Sequence, residues 1–224
     1  PRATAFTEGF ESQTGTTPTG RWNTSVRDCS GTGTATIDST RAHSGSKSVK
    51  VDGRTGYCNH AFVGTTLEGG GPLFVRFWVN HTTTLPMGHV TFVAMQDTSD
   101  NGRDLRMGGQ NQALQWNRES DDATLPAQSP VGVSMSKPLP TNTWSCIEYG
   151  IDGGRLTTWL NGAQVEGLIA DGTPTPDVDQ QWVNSRPGWS PSLTNLRFGW
   201  ESYADGNDVL WFDDIAVGSA KIGC

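Results

Sequence analysis

Short runs of alternating apolar and polar residues, broken by Gly, Pro, Asn and Asp, recur along the whole chain. Side chains of an extended strand point to opposite faces with a period of two, so this alternation predicts half-buried β-strands. Residues 34–38 and 48–52 read as a pair around the tight turn His43-Ser44-Gly45-Ser46-Lys47. Further strands are predicted over residues 60–64, 73–80, 89–95, 105–116, 144–151, 155–160 and 193–203, and over the run VLWFDDIAV near the C-terminus. Asp152-Gly153-Gly154 and Asn161-Gly162 carry hairpin-turn chemistry. No sustained stretch places apolar residues at i, i+3, i+4 and i+7, and residues 170–192 read as a proline-rich loop. The pattern predicts an all-β sandwich or barrel, with residues 1–224 forming one domain and no boundary or internal repeat.

The same alternation sorts polar side chains onto faces. Arg76 and Trp78 share the polar face of their strand, opposite Val75, Phe77 and Val79. Arg197, Glu201 and Tyr203 share another, opposite Leu196, Phe198 and Trp200. Residues 88–126 are the most informative stretch. There His89, Thr91 and Val93 fall on one face, and Arg106, Gln110, Gln112 and Trp116 on another, provided Gly108-Gly109 does not shift the phase. A merely structural strand needs only short solvated side chains outside, whereas this face carries long hydrogen-bonding ones. It reads as a binding surface.

Composition narrows the partner. Charged residues make up 17% of the chain, the net charge is −7 and the pI is near 5.0, which argues against nucleic acid or an anionic membrane. No apolar run approaches the roughly 18 residues of a membrane span. The 4 cysteines (Cys29, Cys58, Cys146 and Cys224) include no CxxC pair. An even count without zinc-ligand spacing points to two disulfides and a secreted, extracellular protein. Three pairings are open, of which Cys29–Cys58 with Cys146–Cys224 is the most local. The chain is expected to act as a monomer.

Nucleotide-binding loops, a nucleophile elbow and HExxH are all absent. The carboxylates Asp104, Glu119, Asp121, Asp122 and Glu201 offer material for a glycosidase pair. A second chemistry is β-elimination on a uronic-acid polymer, which needs groups that neutralise the uronate carboxylate, a base and an acid. Arg106, Gln110 and Asn117 suit the first task, while His89 and Tyr203 suit proton transfer. Arg76, Trp78, Asp104, Trp116 and Glu201 complete the substrate-binding set. A third reading is a non-catalytic carbohydrate-binding module with Trp78, Trp116 and Tyr203 stacking on sugar rings. Separately, Asp213 and Asp214 point to opposite faces of their strand, so one of them needs a partner. Glu11, Asp213 and carbonyls of the turn at 43–47 would make a hard-oxygen site for Ca²⁺.

The segments HVTF, LRMGGQ, WNRESDDATLP, LRFGWESY and VLWFDDIAV and the terminal IGC resemble the cellulose-induced secreted proteins of cellulolytic fungi and actinobacteria. The resemblance runs from Phe10 to Cys224. It implies a β-jelly roll with a cleft on the concave sheet, similar in fold to the glucuronan lyases. It maps the cleft onto His89, Arg106, Gln110 and Asp122, with Tyr203 near the rim. It implies structural Ca²⁺ at Glu11, Ser44, Lys47 and Asp213, and it supports Cys29–Cys58 and Cys146–Cys224. Two positions depart from the fungal pattern. Lys47 replaces an Asn, leaving only a backbone carbonyl as ligand, and Asp104 replaces a His.

Overall fold

In a computed structural model that describes residues 5–26, 29–204 and 206–224, the alternating runs become strands of two stacked antiparallel sheets. In chain order the strands are β1 (Phe6–Glu8), β2 (Asn23–Val26), β3 (Thr34–Asp38), β4 (Ser48–Gly53) and β5 (Ala61–Thr66). Then come β6 (Leu73–His81), β7 (Val90–Asp97), β8 (Arg103–Gln110), β9 (Ala113–Arg118) and β10 (Ala123–Leu125). The last five are β11 (Trp144–Asp152), β12 (Arg155–Leu160), β13 (Ala163–Gln164), β14 (Asn195–Ser202) and β15 (Asp208–Gly218). One sheet has the order β13-β12-β11-β6-β15-β4-β3, with β1 added on β15, and the other β10-β9-β8-β7-β14-β5-β2. The architecture is a jelly-roll sandwich. Two short helices, α1 (Pro130–Ser134) and α2 (Gln180–Asn184), interrupt the loops, and α2 lies inside the segment expected to be irregular.

The sheets meet through the apolar half of each alternating strand. Phe77 of β6 and Phe212 of β15 pack against Phe92 of β7 and Phe198 of β14, with ring centroids 5.1–6.5 Å apart. All four rings are fully buried, which removes their whole apolar area from water. A bulge between Thr91 and Val93 sends both Phe92 and Val93 into this core, so Val93 does not share the outer face with Thr91 as strict alternation predicts.

The expected single strand over 105–116 is instead a hairpin. Asn111 and Gln112 both adopt positive φ (52° and 64°), and β8 turns back into β9. Asn tolerates the left-handed region well, so the mirror-image turn forms without a glycine. The turn reverses the phase of everything after it. Trp116 pairs with Met107, faces the core, donates from Nε1 to Thr158 Oγ1 at 3.0 Å and meets Tyr149 edge-on. It is fully buried and unable to stack on a ligand.

Both disulfides form, Cys29–Cys58 and Cys146–Cys224. The second fastens the C-terminal tail across the outer face of β11, where Ile222 N and Gly223 N donate to the buried Glu148 carboxylate. Arg76 belongs to this tail contact, donating from Nη1 to Gly223 O at 3.1 Å. Trp78, on the same face, is covered by the stacked His43 ring at 3.8 Å. Arg76 and Trp78 therefore lie on the sheet opposite the one that carries Arg106, and neither belongs to a shared cleft. No described helix is long and apolar enough to cross a membrane.

Candidate functional site

The outer face of the seven-stranded sheet carries the polar half of the pattern. With Leu105 and Met107 committed to the core, Arg106 must face outward, directly across the ladder from Asn117. Its Nε donates to Asn117 Oδ1 at 2.9 Å, with Nη2 on the same oxygen. Its Nη1 donates to Glu201 Oε1 at 3.0 Å. The other Glu201 oxygen lies 3.6 Å from Nδ1 of His60. Arg106 and Glu201 are 8% and 7% exposed, so this is a braced, largely desolvated ion pair beneath the surface. Asp122, expected in the same cleft, is only a loose neighbour of Arg106. Its Oδ1 lies 3.9 Å from Nη2, and its side chain is 88% exposed.

Above this brace opens a cleft of about 390 Å³ lined by His89, Gln110, Asn117, Asp122, Thr124, Gln128 and Gln181. The lining is dominated by amide and hydroxyl groups. Burial and the nearby Arg106 guanidinium push the His89 imidazole down to about 4, with Asp122 pulling weakly the other way. His89 is thus a neutral imidazole across ordinary pH, able to accept a proton.

Three of these lining residues escaped sequence reasoning. Thr124 enters because β10 pairs in register with Asn117. Gln128 is oriented by Asn111 Nδ2, which donates to its Oε1 at 2.7 Å. Gln181 arrives on α2, whose seat is Arg118. That guanidinium donates to both oxygens of Asp121 (3.0 and 2.6 Å) and to Trp182 O, and it sits 4.7 Å from the centroid of Trp182. Arg118 follows Asn117 on the core side of β9 and is 1% exposed, something no alternation rule assigns to an arginine.

Other expected site residues fall elsewhere. Asp104 is held by the Arg197 guanidinium in a neighbouring groove, and Glu119 Oε2 accepts from Asp104 N. Glu201 braces Arg106 and does not line the cleft. Tyr203 is 57% exposed and is not among the residues lining the cleft; its ring is edge-on to His60 at 4.7 Å.

The residues expected to hold Ca²⁺ do converge. Glu11 accepts from Ser46 N at 2.8 Å and Lys47 N at 2.9 Å, which holds its carboxyl below the usual range. Asp213 accepts from His43 N at 2.7 Å and Ser44 N at 3.2 Å, while burial pushes it up to about 6. The Lys47 side chain, however, reaches into this cluster. Its Nζ is bonded to Gln13 O and lies 3.5 Å from Glu11 O. Among the described residues no three His, Cys, Asp or Glu groups converge as metal ligands. Carboxylates that already accept from N–H donors, with an ammonium beside them on the Glu11 and Gln13 carbonyls, do not fit a six- to eight-oxygen Ca²⁺ shell. Chelator treatment should therefore leave the melting temperature unchanged, and Lys47→Ala should lower it by roughly 3–6 °C, for about 1–2 kcal/mol of lost charge-assisted bonding. A chelator-induced drop that Ca²⁺ restores would overturn this.

A family model described as Polysacc_lyase-like: Cip1-like, core domain, matches residues 9–220. The solved structure of Cellulose induced protein, Cip1, is 42% identical, covers 98% of this chain and 99% of its own, and superposes with a TM-score of 0.88. Two distant structures share the fold alone. The binding domain of botulinum neurotoxin serotype G is 9% identical, with a TM-score of 0.57 over 97% of this chain and 48% of that one. Domain 4 of AbnA, an extracellular arabinanase from Geobacillus stearothermophilus solved with arabinotriose, is 16% identical, with a TM-score of 0.51 over 88% of this chain and 81% of that one. No curated protein sequence matches the chain significantly. The fold, the full-length likeness and the family match agree: the chain belongs to the Cip1-like core-domain family of polysaccharide-lyase-like proteins.

Proposed function

We propose that this protein is an extracellular polysaccharide lyase that cleaves a uronic-acid-containing polymer by β-elimination. The observation that carries the reading is a neutral imidazole, His89, in an amide-lined cleft backed by a braced arginine. In that reaction a base takes the proton from the carbon beside the uronate carboxylate. A carbon–carbon double bond forms as the adjacent carbon–oxygen bond breaks, and the leaving oxygen takes up a proton. Gln110, Gln128 and Gln181, which line the cleft, donate to the carboxylate, with the Arg106 charge behind Asn117. This stabilises the negative charge that builds up as the carbon proton leaves. His89 is the base, and Tyr203, which follows the cross-strand partner of Val90, is the proton-bearing group for the leaving oxygen. Two disulfides support an oxidising, extracellular setting.

The alternatives keep fewer residues. Stacking on sugar rings relied on Trp78, Trp116 and Tyr203, of which Trp78 is covered by His43 and Trp116 is buried in the core, leaving the exposed Tyr203. A glycosidase pair needs two carboxyl groups facing one bond. Glu201 has its oxygens turned to Arg106 and His60, which leaves Asp122 as the one exposed acid in the cleft.

The test is a rise in near-ultraviolet absorbance from an unsaturated uronate when the protein meets a panel of uronate polysaccharides. Binding without that product across the panel would contradict the reading. The His89 assignment adds a pH signature. Below about 4 the imidazole is protonated and cannot accept, so the rate should climb through that value and level off above it. His89→Gln should lose most of the activity together with that acidic limb.

A further inference from the structure

A second groove, of about 370 Å³, continues the same outer sheet face beyond Arg106. Its floor is set by register. Arg197 of β14, Ala94 of β7, Arg106 of β8 and Asn117 of β9 are paired in one row across the sheet. Two strand spacings place the Arg106 and Arg197 backbones roughly 10 Å apart, with only the Ala94 methyl group between them. On the other side Arg197 pairs with Gly64, where a Cβ would come within 2.7 Å of Arg197 Cγ. A side chain there would push the arginine off the sheet, so the glycine lets it lie flat along the groove. The guanidinium is then fixed at both ends, with Nη2 on Asp104 and Nε on Asn195 Oδ1 at 3.3 Å. Around this pair stand Asn23, Ser25, Thr65 and Gln96.

The groove is therefore built differently from the His89 cleft. Arg197 and Asp104 both line it, so their charges cancel at contact distance on its surface. In the His89 cleft neither Arg106 nor its balancing acid, Glu201, is part of the lining, and the one carboxylate named in that lining, Asp122, is open to solvent and screened. A uronate placed in the second groove meets the Asp104 carboxylate together with the arginine. A neutral sugar meets hydroxyl, amide, guanidinium and carboxylate groups that can all bond its hydroxyl groups, without charge repulsion.

We propose that this groove is a subsite for a neutral sugar unit, positioned by Arg197. The preferred substrate is then a mixed polysaccharide in which the uronate at the His89 cleft is joined to uncharged sugars, not a homopolymer of uronate. The inference rests on the outer face being the polysaccharide cleft, but it does not require elimination to occur there. Asp104 sets this preference through its ion pair with Arg197.

Titration of ¹⁵N-labelled protein separates the two ideas, because it reads binding at each site without turnover. The probes are an aldouronic acid (a short neutral pentose chain carrying one uronate) and a homouronate oligomer of equal length. The aldouronic acid should shift side-chain signals of Arg197, Asn195 and Gln96 as well as those around His89, and bind about tenfold tighter than the homouronate. Arg197→Ala should remove that advantage. Asp104→Asn, which keeps the shape and removes the repulsion, should bring homouronate affinity up to that of the mixed oligomer. Equal affinity of both probes for the wild type, or shifts confined to the His89 cleft, overturns the subsite. If the predicted binding pattern appears without unsaturated product on any uronan, the subsite stands and the lyase assignment falls.

Discussion

Arg106→Ala should reduce product formation from a uronate polysaccharide by about 10²–10³-fold, the scale seen when one charge-stabilising donor is taken from a pre-organised site. The loss has two parts. The first is electrostatic, since the cation bonded to the cleft residue Asn117 disappears. The second is structural, since Glu201 is 7% exposed and would lose the ion-pair partner 3.0 Å away. Breaking a buried pair from one side costs roughly 3–5 kcal/mol, so the melting temperature should fall by about 10 °C. Arg106→Lys separates the parts. An ammonium retains charge near Glu201 but cannot bond Asn117 and Glu201 together as the planar fork does. It should recover most of the stability and remain at least about tenfold slower than wild type. A full-rate Arg106→Ala enzyme would remove Arg106 from the mechanism.

The second large effect is on stability alone. Replacing Cys146 and Cys224 together by Ser should cost about 4–5 kcal/mol on the loop-entropy account, because that bond spans 78 residues of sequence. Releasing the tail has a further consequence. Glu148 is 1% exposed and is satisfied by Ile222 N at 2.6 Å and Gly223 N at 2.8 Å. Once the tail lifts, a buried carboxylate loses both donors. Yet the tail lies on the sheet opposite the cleft, so activity at low temperature should persist in the folded fraction. Cys29–Cys58 is the contrasting case. Its loop is shorter, with a separation of 29 and a value of about 3–4 kcal/mol. It also anchors the segment leading to His60, which stands against Glu201. Its removal should cost less stability and more activity. Denaturant titration and initial rates on both double variants check the pair of expectations.

Alternation made most of the sandwich legible, because each strand buries one face and a period of two is visible in residues such as those of β6 and β14. It also placed Arg106 and Glu201 on outward faces, and the family resemblance gathered His89, Gln110 and Asp122 beside them. What it could not reveal was where the phase breaks. The Asn111–Gln112 turn contains no glycine or proline, so nothing in the pattern separates β8 from β9, and Trp116 looks solvent-facing when it is core. The bulge at Phe92 hides for the same reason. Which sheet a strand joins is a matter of topology, so Arg76 and Trp78 looked like neighbours of Arg106 while facing the opposite way. Lys47 shows the limit of reasoning from residue type. A lysine in a cation-binding pattern reads as a lost ligand, and residue type alone does not say that its ammonium turns to Gln13 O beside Glu11.

The central claim is elimination on a uronate chain, and the most direct measurement is the mass of the newly formed chain ends after reaction in ¹⁸O-labelled water. Elimination breaks the carbon–oxygen bond without adding solvent oxygen. The account predicts an unsaturated uronate end one water lighter than the hydrolysis product, with no label incorporated and its formation lost in Arg106→Ala. Labelled, saturated ends, or a chain that is bound and left intact, would contradict it.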